Sequence, residues 1–134
     1  MPSVIDVEGI GPKYAEKLKK AGITTTDTLL KKGASPKGRA EIANASGISH
    51  EVVLKWVNFV DLYRIKGIGS EYSELLEKAG VDTVVELSKR VPENLVAKMT
   101  EINMAKKLVR RLPTLKEAKS WVAQAKKLPR VITY

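Results

Sequence analysis

The 134-residue chain has no cysteine, one histidine, His50, and one phenylalanine, Phe59. Without cysteine there is neither a disulfide framework nor a thiolate metal site, and one histidine leaves zinc centres and catalytic triads short of their usual ligands. No nucleophile, base and acid form a recognisable set, so a non-enzymatic role is expected, with no resident metal or organic cofactor. Long apolar runs are also missing. The longest candidate, "EVVLKWVNFV", is broken by Lys55 and falls short of the roughly 18 residues a membrane helix needs. The amino terminus has no apolar core behind its charges. A soluble, cytoplasmic protein without membrane contact is the expectation. Sustained two-residue alternation is absent too, which removes strands and leaves an all-α class.

What the chain does contain is a repeat. Placing Gly9 over Gly67 aligns residues 9–32 with 67–90 at an offset of 58, and twelve of the twenty-four positions agree. The matches include Gly9, Ile10, Gly11, Tyr14, Leu18 and Gly22. Punctuation around the repeat is that of short helices. Pro12 suits a first helical position, Gly22 and Gly80 suit left-handed stops, and Ser35-Pro36 and Val91-Pro92 open further helices. Thr83 with Glu86, and Thr114 with Glu117, are spaced as capping boxes. Helices are predicted near 12–21, 27–32, 37–45, 50–64, 70–79, 83–89, 92–110 with a break, and 114–127.

The helix over 50–64 is apolar on nearly every side and runs into the second glycine motif without a linker. Residues 1–62 and 63–134 are therefore expected to be two units that share a core through this helix. Trp56 and Trp121 both sit on apolar stripes and read as core anchors, and Tyr14 and Tyr72, at one repeat position, read as packing residues. His50 reads as an exposed first-turn residue.

A hydrophobic residue between two glycines at a helix entrance suits a tight turn between helices, with Ile10 or Ile68 plugged inward. The outer rim then carries unpaired amides at a helix amino terminus, a favourable place for a phosphate oxygen. "VEGIGPKYAEKL" and "IKGIGSEYSELL" resemble the helix-hairpin-helix motif of DNA polymerases, ligases and repair proteins. "SGISHEVVLKWV" resembles a degenerate copy with one glycine, and "TEINMAKKLVRRL" is a candidate fourth copy with none. Over its whole length the chain is similar to an uncharacterised bacterial family of tandem helix-hairpin-helix domains, with "LKWVNFVDLYRIKGIG" and "KKLVRRLPTLKEA" as its distinctive stretches. The resemblance implies duplicated helix-hairpin-helix units packed into one compact helical domain. It also implies that hairpin amides grip the DNA backbone without reading sequence, in some members with a monovalent cation held by hairpin carbonyls. It assigns phosphate contact to Gly9, Ile10, Gly11 and Lys13, and to the matching Gly67, Ile68 and Gly69. Lys17 extends the basic face of the first copy.

The second copy departs from that pattern. Glu71 stands where the first copy has Lys13, and Glu71, Glu74 and Glu77 line its helix. Carboxylates in a first turn stabilise the helix while repelling phosphate from the same place. On this reading the first copy keeps the phosphate site and the second keeps the turn for folding.

Charge is concentrated at the carboxyl-terminal end. Between Lys98 and Arg130 ten basic residues face only Glu101 and Glu117, which accounts for +8 of the net +9. Lys106, Lys107, Arg110 and Arg111 lie in one run, while Lys116, Lys119, Lys126 and Lys127 share one arc of a helix whose opposite arc holds Leu115, Ala118, Trp121, Val122, Ala125 and Leu128. Non-specific binding of duplex DNA through these residues and the first hairpin is the leading expectation. RNA or an acidic protein are the alternative partners, the second implying a scaffold with purely structural hairpins. The tail "RVITY" fits packing on the core or joining a partner equally well.

Overall fold

A computed structural model describes residues 3–7 and 9–134. Among them eight α-helices follow one another: α1 (Pro12–Lys20), α2 (Thr26–Lys32), α3 (Pro36–Ser46), α4 (His50–Leu62), α5 (Ser70–Lys78), α6 (Val84–Ser88), α7 (Pro92–Lys106) and α8 (Leu115–Lys127). One turn of 3-10 helix, Val4–Asp6, precedes them. The fold class is all-α, and the described residues contain one isolated bridge, Ser3 with Thr25, and no strand.

Local chemistry explains the boundaries. Thr25, Ser35, Thr83 and Thr114 cap α2, α3, α6 and α8, each hydroxyl accepting from the amide three residues on. Thr114 and Glu117 complete both halves of a capping box, whereas at Thr83 only the hydroxyl half is present. Pro12, Pro36 and Pro92 stand at first helical positions, where a missing N–H costs nothing. α7 ends at Lys106, four residues short of the predicted end. Lys107 adopts a left-handed conformation with φ 52°, and the Asn103 side chain turns the chain by bonding Val109 instead of continuing the helix.

The chain divides into two compact units: residues 1–61 with 131–134, and residues 62–130. In the first, α1 and α2 pack against α3. Trp56 of α4 is buried and meets the Tyr14 ring of α1 edge to face at 5.1 Å between centroids. Seven consecutive residues, Trp56 to Leu62, are buried, so no face of that stretch of α4 is open to water. The tail returns to this unit. Ile132 is buried, the Thr133 amide donates to the Ala34 carbonyl at 2.7 Å, and Tyr134 Oη and Asn58 Oδ1 are 3.3 Å apart. Arg39, 2% exposed, donates to the carbonyls of Gly33, Ala34 and Thr133, and burial pulls its pKa below the ordinary arginine value.

In the second unit α8 packs on α6 and α7, and α5 packs on α7, around a core that includes Leu62, Leu75, Leu76, Leu95, Met99 and Trp121. Ala118, Trp121, Val122 and Ala125 are buried on the inner arc of α8. Leu115, expected on that arc, is 39% exposed because it opens the helix beyond the packed turns. Trp121 repeats the role of Trp56, lying 5.3 Å from the ring of Tyr72 on α5.

Each tryptophan is the largest side chain of its local core, so truncation leaves a cavity its neighbours cannot fill. Trp56→Ala and Trp121→Ala should each cost about 3 to 5 kcal/mol. Chemical denaturation measures this, and losses below about 1 kcal/mol would mean the rings are not core anchors.

Candidate functional site

Three helix starts lack a side-chain cap, and two of them share one kind of loop. α1 and α5 begin behind Gly11 and Gly69, neither of which offers a side chain to the first-turn amides. α7, behind Val91, also lacks a side-chain cap. Two residues earlier stand Gly9 and Gly67, with φ 88° and 103°, backbone angles that admit glycine readily and few other residues. The Ile10 amide donates to the Val7 carbonyl at 3.0 Å and the Ile68 amide to Ile65 at 3.1 Å, closing the two turns alike. Both glycines also make room for an indole. A methyl carbon on Gly67 would lie 2.9 Å from Trp121 Nε1, and one on Gly9 would lie 3.4 Å from Trp56 Nε1. Each loop is therefore set by contact with the buried tryptophan of its own unit.

Around the first loop, Gly9 and Lys13 are exposed and Gly11 is partly so. Lys17 is half-buried, its Nζ 5.6 Å from the Tyr14 ring centroid, so its charge sits over an aromatic face. Ile10, counted from the sequence among the ligand contacts, is 3% exposed, and Ile68 is 5% exposed. Both plug their loops from inside and are not available to touch a ligand.

The second loop carries an open cavity of about 440 Å³, lined by Gly67, Gly69, Ser70, Glu71, Tyr72, Arg110 and Arg111. The acidic character of α5 thus meets, in the lining of the same cavity, two arginines about forty residues away in sequence. Lys116, Lys119, Lys126 and Lys127 do not line it; they are exposed along α8. Lys106 and Lys107 are exposed at the end of α7. Among the described residues no group of three or more His, Cys, Asp or Glu side chains converges as metal ligands, and no helix is long and apolar enough to cross a membrane. His50 is exposed at the first position of α4.

A family model described as a domain of unknown function, DUF4332, matches residues 8–128. The chain belongs to the DUF4332 family. No curated protein and no solved structure matches it.

Three contacts that position the basic residues of this DUF4332 domain were not foreseen from its sequence. Tyr72 Oη donates to the Arg111 carbonyl at 2.8 Å, tying α5 to the α7–α8 connection. The Arg111 guanidinium then forms a two-point ion pair with Glu117, at 2.8 and 3.0 Å. Gln124 grips the second loop from α8, accepting from the Lys66 amide at 2.9 Å and donating to its carbonyl at 3.2 Å. A legible trace of the second contact was available: Glu117 is the last residue of the capping box, and Arg111 stands six positions before it.

The Arg111 hydrogen bonds, with that from the Thr114 amide, hold the Glu117 carboxyl down at about 2. A carboxyl depressed in the folded state contributes stability above its unfolded value near 4.3, and loses it as pH falls toward the folded value. Stability should therefore decline between about pH 4.5 and 2, and Glu117→Gln should remove part of that decline. An identical pH profile for the variant would exclude this linkage. Lys107 supplies a second test. Left-handed backbone costs a residue with a side chain about 1 kcal/mol or more, so Lys107→Gly should raise stability by about 1 kcal/mol in denaturant titration.

Proposed function

We propose that this DUF4332 domain is a non-enzymatic module that holds nucleic-acid backbone phosphates, duplex DNA foremost, without reading base sequence. The observation that carries the reading is the pair of glycine-capped helix starts. α2, α3, α6 and α8 satisfy a first-turn amide with the hydroxyl of the capping residue, whereas the residues that open α1 and α5 are glycines with no side chain to offer, beside exposed basic residues. A phosphate oxygen suits the N–H groups of a helix start and the sign of the helix dipole. The helix-hairpin-helix resemblance of both loops supports the same use.

At the first loop Lys13, exposed on the first turn of α1, supplies the charge. At the second, Arg110 lines the same cavity as Glu71 and offsets its charge, with Arg111 partly neutralised by Glu117, so the second loop contributes more than its helix alone suggests. The exposed lysines of α8 widen the phosphate contact. All these donors are N–H groups and cationic side chains, so the binding mode needs no bound cation. A cytoplasmic location gives such a module access to nucleic acid. The alternative, a scaffold domain meeting an acidic protein, draws on the carboxylates Glu71, Glu74 and Glu77 along α5.

Phosphate binding releases counterions, so log affinity should fall with log salt by a slope of about 0.9 per neutralised phosphate. Replacing Lys116, Lys119, Lys126 and Lys127 with glutamine should weaken binding to every duplex alike and flatten the slope by up to about 4. Lys13→Glu should weaken duplex binding with the fold intact. Fluorescence anisotropy at several salt concentrations measures both. Unchanged affinity and slope in the quadruple variant would remove α8 from the interface, and no duplex binding by the wild type at low salt would favour the scaffold.

A further inference from the structure

The last turn of α7 and the residues that follow it combine features that the phosphate reading does not use. Met104 is 78% exposed, the highest among the large hydrophobic side chains that stand open to solvent, and Ala105, Lys106 and Lys107 beside it are exposed as well. Lys107 is the one non-glycine residue with positive φ among the described residues. Side-chain hydrogen bonds also brace this segment. Asn103 Oδ1 accepts from the Val109 amide at 3.0 Å, and Asn103 Nδ2 donates to the Val109 carbonyl at 3.2 Å. These two bonds tie the last turn of α7, which holds Met104, Ala105 and Lys106, to the chain that leaves it, so that Met104 and Arg110 each adjoin one member of the bonded pair. Leu108 and Val109 anchor the chain that follows to the core, the first half-buried and the second buried.

An exposed apolar side chain in the last turn of a helix, close in sequence to three exposed cations and three residues before a left-handed lysine, adds nothing to the core and is open to contact. We propose that Met104 is an apolar wedge that enters a duplex at a base step, while Lys106, Lys107 and Arg110 hold the flanking phosphates. The wedge deepens the phosphate-binding reading and rests on it. Unbranched and polarisable, a methionine side chain suits insertion into a partly unstacked step, which kinks the duplex and is easiest where stacking is already weak. Charge complementarity selects the polyanion. A bilayer surface is also anionic, but one methionine buries too little apolar surface to anchor there, whereas one side chain suffices at a base step. The same compact unit carries the loop at Gly67 and the arginines of its cavity, which gives the duplex a second hold.

The test compares the full-length wild type with Met104→Ala and Met104→Leu on two end-labelled duplexes, one fully paired and one with a single mismatched step. The wild type should bend both duplexes, seen as increased end-to-end energy transfer, and prefer the mismatched one. Met104→Ala should bind about tenfold or more weakly, with the bend and the preference lost. Its salt slope should be unchanged, because no charge has been removed. Met104→Leu should restore most of the bend. The side chain is exposed, so circular dichroism and thermal melting should be the same for all three proteins.

A Met104→Ala protein that binds and bends as the wild type does would overturn the wedge while leaving phosphate binding standing. A wild type that binds no duplex would remove both together. Vesicles of phosphatidylserine and phosphatidylcholine serve as the remaining arm. Loss of vesicle binding on Met104→Ala, with duplex binding and bending unaltered, would assign the tip to a membrane and overturn the proposal.

Discussion

The contact between a glycine and an indole ring in each unit is the constraint on which the rest of the structure depends. Gly67 leaves room for Trp121 Nε1 so close that a single methyl would stand 2.9 Å away; at Gly9 the same methyl would stand 3.4 Å from Trp56 Nε1, an ordinary contact, and it is the positive φ that favours glycine there. Because both tryptophans are buried, the loops are braced from behind by the cores of their units. Tyr14 and Tyr72 add an aromatic face to each brace. A turn fixed in this way can leave its outer amides without internal partners, since its shape does not rely on them. The glycine that permits the turn, the ring that holds it and the helix start that it exposes are thus three consequences of one packing arrangement.

Charge is then distributed differently over two similar frames. The first loop carries its cation on the helix it opens, at Lys13. The second places Glu71 there and receives Arg110 and Arg111 from the connection between α7 and α8. Tyr72 and Glu117 fix that connection, one through the Arg111 carbonyl and the other through its guanidinium. Bidentate pairing makes Arg111 well placed but partly neutralised, while Arg110 lies beside it on the cavity wall. The two units therefore need not be equal in affinity for an anion even though their turns are closed by equivalent bonds.

Much of the fold was legible because its signals are local. Pro12, Pro36 and Pro92 and the Thr and Ser caps mark helix starts by chemistry that acts within four residues, and the predicted boundaries of seven helices fall within two residues of those found. Burial of Trp56 and Trp121 followed from apolar stripes of helical period. The candidate site was legible only in part. The glycine loops repeat openly in the sequence, but the cavity beside the second depends on Arg110 and Arg111 reaching it from about forty residues away, and no periodicity encodes that approach. The end of α7 was misplaced for a similar reason. Asn103 stops the helix through a side-chain bond to Val109, and a lysine fills a left-handed position where the sequence rules look for glycine. The tail was undecided because its docking rests on Arg39 and Ala34, nearly a hundred residues upstream.

The central claim is that two glycine-capped helix starts are open phosphate sites on braced turns. The most direct measurement is a titration of the isotopically labelled protein with a short duplex, following backbone amide shifts. The account predicts saturable changes at Lys13 and Tyr14 and at Ser70, Glu71 and Tyr72, with the capped starts of α2, α3 and α6 unmoved. Changes confined to the lysines of α8, with the amides of both glycine loops unaffected at saturation, would contradict it.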